Sequence, residues 1–186
     1  EEAEVSLRQA IALKPDLAEA HYNLGITLQE LGRLKEAEVS LRQAIALKPD
    51  LAEAHYNLGI TLQELGRLKE AEASYRKTIT LKPDLAEAHN NLGVILKGLG
   101  KLDEAGVSLR QAIALKPDLA EAHNNLGVML QDLGRLNEAE VSLRQAITLK
   151  PDYVEAHYNL GNTLKKLGRL DEAEASYSQA IGIKPD

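Results

Sequence analysis

Five histidines are the side chains best equipped for chemistry near neutral pH, and His21, His55, His89, His123 and His157 stand 34 residues apart. Imidazole both ligates metals and moves protons, so a set of five invites either reading. Ser40, Ser74, Ser108, Ser142 and Ser176 recur with the same spacing and would be nucleophiles if a base reached them. The spacing itself argues against a shared site. Zinc needs its ligands about 2 Å from one centre, whereas successive copies on packed helices lie roughly 10 Å apart. Each serine falls inside a helical segment, with neither a base within reach nor an exposed bend. The glycines form no loop that would cradle a phosphate, and the absence of cysteine excludes thiolates and disulfides. No catalytic residue, no metal site and no cofactor is expected.

What positions these side chains is a repeat. Lys-Pro-Asp recurs at Pro15, Pro49, Pro83, Pro117, Pro151 and Pro185, which accounts for all six prolines. Ten of the thirteen glycines fall into two series with the same 34-residue period, one through Gly25 and one through Gly32. Residues 2–38 and 36–72 are identical. A half unit, 1–15, precedes five full units at 16–49, 50–83, 84–117, 118–151 and 152–186, read as one continuous repeat domain.

Each unit reads as two helices and no segment shows the two-residue alternation of a strand. In the first full unit Asp16 is expected to cap the first helix, with Glu19 reaching back. An apolar stripe runs Leu24, Leu28 and Leu31, and Gly32 supplies a stop that tolerates left-handed backbone. The second helix starts near Leu34 and carries Ala37, Leu41, Ala44, Ile45 and Leu47. Pro49 ends it, because proline disfavours helical geometry in the residue before it. The fold class is all-α.

These residues resemble the tetratricopeptide repeat, whose 34-residue pattern is W-x2-L-G-x2-Y, then A-x3-F, then P. The first full unit reads His21-x2-Leu24-Gly25-x2-Leu28, Ala37-x3-Leu41 and Pro49. His replaces Trp in every unit, Leu replaces the first Tyr, and Leu or Tyr (Tyr75, Tyr177) fills the Phe place. The resemblance covers the whole chain. It implies a right-handed α-solenoid of antiparallel hairpins, a superhelix whose concave side is lined by the first helices. Such hairpins cannot bury their apolar stripes alone and must stack on their neighbours.

The first helix has a second face made of positions outside the core stripe. Glu19, Tyr22, Asn23, Ile26, Gln29 and Glu30 share it by helical spacing, and the resemblance implies that it lines the groove. Asn23, Asn57, Asn91, Asn125 and Asn159 then form a ladder, resembling the asparagine ladder of O-linked N-acetylglucosamine transferase, whose repeats hold peptide backbones. A carboxamide can pair as donor and acceptor with an extended peptide; the alternative is that each asparagine bonds within its own layer or to the next helix. Tyr22, Tyr56 and Tyr158, with Ile26, Ile60, Val94 and Val128 one turn further, would add apolar contact area or pack between adjacent first helices. Glu19, Glu53, Glu87, Glu121 and Glu155 disfavour an acidic tail as ligand, since cations appear mainly at Lys97, Lys165 and Lys166.

The expected function is a protein-interaction scaffold that binds extended peptide segments and catalyses nothing. One alternative is the substrate-targeting region of a larger enzyme such as a glycosyltransferase. Another is an array that self-associates end to end, through Tyr177, Ile181 and Ile183 at the last repeat. A net charge of −6 and the lack of a basic stripe disfavour nucleic acid. No apolar run approaches the roughly 20 residues that cross a bilayer. Opening on Glu1 midway through a unit, the chain is expected to be a piece of a longer protein whose targeting signals lie elsewhere. The lack of cysteine fits a cytoplasmic location.

Overall fold

The computed structural model describes residues 2–184, and they form eleven helices and no strand. The chain divides into two compact units, 1–84 and 85–186. The first holds α1 (Glu2–Leu13) and the hairpins α2 (Ala18–Glu30) with α3 (Leu34–Leu47) and α4 (Ala52–Glu64) with α5 (Leu68–Leu81). The second holds three hairpins: α6 (Ala86–Gly98) with α7 (Leu102–Leu115), α8 (Ala120–Asp132) with α9 (Leu136–Leu149), and α10 (Val154–Lys166) with α11 (Leu170–Ile183). Within each unit, every second helix also packs on the first helix that follows it, and consecutive first helices touch.

The turns inside the hairpins follow from one glycine each. Gly32 has φ +70°, a conformation that costs other residues roughly 1–2 kcal/mol. There the Arg33 N–H donates to the Leu28 carbonyl at 2.8 Å and the Gly32 N–H to the Gln29 carbonyl at 2.8 Å, the two bonds that close a helix with a left-handed cap. The hairpins are joined differently. Lys48, held extended by Pro49, has φ −138° and ψ 87° and closes α3.

Two expectations need correcting. Asp16 does not cap α2: the capping position is Leu17, which makes no side-chain bond. The main chain does the work, with the Ala20 and His21 N–H groups donating to the Leu17 carbonyl at 3.1 and 3.3 Å, so Asp16 lies one residue too early. Leu31 and Leu47 lie outside the core as well, because both sit at helix ends; Leu31 is 44% exposed.

The core is built by close approach. A Cβ on Gly25 would lie 2.6 Å from the Leu41 Cγ, and one on Gly59 would lie 2.6 Å from the Tyr75 ring. Ala37, Leu41, Ala71 and Tyr75 are fully buried. Leu7 and Ile11 of α1 cover Leu24, Leu28 and Ala37. In the second unit Leu143, Leu160, Leu164 and Ala173 form the corresponding cluster, flanked by Ile147 and Tyr177.

Candidate peptide-binding face

The histidines serve the joints between hairpins. The Nε2 atoms of His21, His55, His123 and His157 lie 2.9, 3.0, 3.0 and 2.8 Å from the carbonyls of Pro15, Pro49, Pro117 and Pro151. A carbonyl only accepts, so Nε2 carries the proton in each. The bond ties the first helix to the turn that leads into it. Ser176 donates to the Glu172 carbonyl at 3.0 Å within its own helix. Among the described residues no three His, Asp or Glu side chains gather where a metal ion could be held.

Asn57, Asn125 and Asn159 are engaged between repeats, in one register. In the first unit Asn57 Nδ2 donates to the Tyr22 hydroxyl at 3.2 Å and to the Glu53 carbonyl at 2.9 Å. In the second, Asn125 Nδ2 donates to Asn90 Oδ1 and Asn159 Nδ2 to Asn124 Oδ1, both at 3.0 Å. Each of these bonds between repeats reaches back 35 residues, to the preceding first helix. Asn90 also donates to Asn91 Oδ1 at 3.2 Å. Asn23 is exposed and its side chain makes no hydrogen bond among the described residues. The same seam carries further bonds: Gln29 Nε2 donates to the Asn57 carbonyl at 3.3 Å and Gln131 Nε2 to the Asn159 carbonyl at 2.8 Å. These glutamines do the kind of bridging work that sequence reading assigned to asparagine alone.

Around the ladder, Tyr22 and Tyr56 are half-buried and Tyr158 is 55% exposed. Burial pushes the Tyr22 phenol up from its ordinary pKa, the Glu53 charge adds to this, and the bond from Asn57 opposes it. Ile26, Ile60, Val94 and Val128 are all half-buried. Tyr158 and Asn159 line one cleft of about 350 Å³ with Val154 and Glu155 of α10, Ala180 and Ile181 of α11, and Lys184 just beyond that helix. Ile181 is exposed, whereas Tyr177 packs against Tyr158 with ring centroids 5.7 Å apart and donates to Asn162 Oδ1 at 2.8 Å.

The glutamate row is less acidic in effect than its sequence suggests. Lys48, Lys82 and Lys116, from the Lys-Pro-Asp turns, reach Glu19, Glu53 and Glu87 at 3.7, 3.9 and 2.9 Å. Lys97, counted above as a groove cation, pairs with Asp132 at 3.1 Å. Other clefts open away from the ladder. One of about 370 Å³ lies around Arg42, Ile45, His55, Leu58 and Ser74, and one of about 350 Å³ lies around Arg144, Ile147, His157, Leu160 and Ser176.

Sequence comparison gives this geometry a family. The sequence model of the TPR repeat matches residues 1–32, 29–66, 95–134 and 129–168, and that of the tetratricopeptide repeat matches residues 52–85 and 154–186. The chain belongs to the tetratricopeptide-repeat family. No curated protein matches it by sequence. Among solved structures, YrrB, described as a TPR protein with an unusual peptide-binding site, superposes with a TM-score of 0.77 at 25% identity, covering 97% of this chain and 93% of YrrB. A thermophilic TPR protein of Thermus thermophilus superposes at 0.73 with 29% identity, covering 91% of this chain and 92% of its own. MamA from Desulfovibrio magneticus RS-1 reaches 0.82 at 21% identity over 90% of this chain and 95% of that one, a likeness of fold alone.

Tetratricopeptide repeats pack a large ring where this chain has histidine. Here the imidazole keeps part of that volume and adds a bond to the proline carbonyl, so the substitution exchanges apolar area for a fixed joint. Membership supports a protein-interaction scaffold, a role typical of arrays made only of such repeats. No described helix is long and apolar enough to cross a membrane.

Proposed function

We propose that the first-helix face binds an extended segment of a partner protein, with the ladder asparagines pairing to its backbone. The observation that supports this best is how the carboxamides are spent. Asn57 uses both N–H donors within the protein, and Asn125 and Asn159 use one each. Their Oδ1 atoms accept nothing among the described residues, although the side chains are only half-buried. A rung so arranged is oriented in advance and accepts one peptide N–H, which reads backbone and not sequence. Preorganisation of this kind lowers the ordering cost of binding.

The cleft beside Asn159 supplies the second element, a place for a side chain between Tyr158 and Ile181. Its volume sits at the lower end of ligand clefts, roughly 300–1,000 Å³, which suits one aliphatic residue of a peptide. YrrB, with its peptide-binding site, is consistent with this reading. With Glu19, Glu53 and Glu87 each beside a lysine, a neutral or mixed-charge segment is the fitting ligand.

The test is a display selection of unstructured peptides on the whole chain, followed by affinity measurement with Tyr158→Ala and Asn23→Ala. Neither substitution removes a bond between repeats, so thermal stability should hold while affinity drops. Peptides that bind both variants as tightly as the parent would sink the proposal.

A further inference from the structure

In the first unit, and at the last junction of the second, second helices of consecutive repeats are tied by rings of two arginines and two glutamates. Between α3 and α5, Arg42 Nε donates to Glu38 Oε1 at 2.8 Å, Arg67 Nη1 to Glu38 Oε2 at 2.6 Å, Arg67 Nη2 to Glu70 Oε2 at 2.6 Å, and Arg42 Nη2 to Glu70 Oε2 at 2.9 Å. The same ring joins α1 to α3 and α9 to α11, where Glu4 and Glu140 bridge their arginine pairs. The bridging side chains of Glu4, Glu38 and Glu140 are each only 14% exposed. Burial pushes the Glu38 and Glu140 carboxyls up, yet the flanking arginines hold both below the ordinary carboxylate range.

One junction lacks its bridge. Between α7 and α9 the position is Gly106, leaving Arg110, Arg135 and Glu138, so two cations face one anion. Arg135 keeps Glu138 through its Nε at 2.6 Å. Arg110 forms no hydrogen bond or ion pair among the described residues, although its charge, after that of Arg135, helps to hold the Glu138 carboxyl below its ordinary range. The Arg110 Nη1 lies 3.2 Å from where a Gly106 Cβ would be, and the Met129 Cε lies 3.0 Å from that point. Bare backbone, a thioether and an unspent guanidinium therefore surround the point from which the other rings extend their bridging carboxylate.

We propose that Arg110 and Arg135 form a socket for an external carboxylate, supplied by an acidic side chain or a terminal carboxylate of a partner. The rings show what the pair can do: one oxygen accepts from an Nε and the other from an Nη1, a fork geometry that a planar carboxylate matches and a spherical anion does not. Binding restores the charge balance that the neighbouring rings hold within the chain. The socket lies on the second helices and stands independently of the first-helix face.

The test is NMR of the arginine Nε–Hε groups during titration with sodium acetate, against sodium chloride at equal ionic strength. Saturable shifts at Arg110 and Arg135 with acetate alone are expected, about tenfold weaker or absent in Arg110→Gln, a change that costs about one decade in the dissociation constant. Gly106→Ala controls for the added helix propensity and should keep the response. Gly106→Glu should abolish it, because the chain then supplies its own carboxylate; Met129, the far end of a flexible side chain, can yield. A capped peptide with one glutamate and an uncharged peptide with a free C-terminus then distinguish the two sources of carboxylate. Equal responses to chloride and acetate, or an undiminished acetate response in Gly106→Glu, would overturn the proposal.

Discussion

The seam inside a hairpin rests on apolar volume, whereas successive first helices, and successive second helices, meet through polar bonds. Inside the α4–α5 hairpin, Gly59 meets the fully buried Tyr75 ring with no room for a Cβ. Between first helices, Asn125 meets Asn90 through one hydrogen bond at 3.0 Å, and between second helices the contact is a ring of ions. Volume holds each hairpin together and, through contacts such as Leu143 with Leu160, also joins one hairpin to the next; the polar bonds add a fixed spacing between them within a unit. The difference teaches that a repeat array separates strength from register: apolar packing is strong but tolerant of sliding, whereas a hydrogen bond works only at one spacing.

Breaking the inner seam should cost most. Tyr75→Ala removes a ring that is wholly buried and should destabilise by about 3–5 kcal/mol, read by denaturant unfolding and by hydrogen exchange confined to the first unit. Gly93→Ala forces a Cβ to 2.6 Å from the Leu109 Cγ and should cost about 1–3 kcal/mol through overpacking. If it is instead neutral in the same assay, the tight approach is not a constraint.

Breaking the outer seam should cost less. Asn125→Ala removes the bond to Asn90 and should destabilise by about 1 kcal/mol, with exchange rising where α6 meets α8. The rings give the smallest effect per site, because exposed ion pairs contribute little. Their pH dependence has a definite sign. The Glu38 and Glu140 carboxyls are held below their ordinary value of 4.5, so the folded state binds these protons less readily than the unfolded chain. That stability is present in full above pH 4.5 and disappears as the pH falls through the depressed folded values. The thermal midpoint should therefore drop on acidification below pH 4.5, with a smaller drop in the double variant Glu38→Gln and Glu140→Gln.

Much of this was legible in advance, for identifiable reasons. The prolines and glycines recur because backbone geometry demands them, so Gly32 and Pro49 announced the turns. The spacing of His21 and its copies, with their place at the family's Trp position, marks them as architecture, although their bond to the proline carbonyl needs coordinates. The arginine–glutamate rings left a trace, since Glu38 and Arg42 stand four residues apart, but closure through Arg67 and Glu70 depends on how one helix meets the next. Gly106 lies outside both glycine series of the repeat, and only the ring that it interrupts gives it a meaning.

The sequence by itself determined the period, the helices and the hairpin turns, because each rests on local sterics within one repeat. Tertiary structure decided where polar side chains spend their donors. Whether Asn57 donates to Tyr22, whether Glu53 is a bare charge or a partner of Lys82, and whether Arg110 reaches Glu138 depend on how one helix meets another, at distances of about 3–4 Å. One residue's spacing along the chain does not contain those distances.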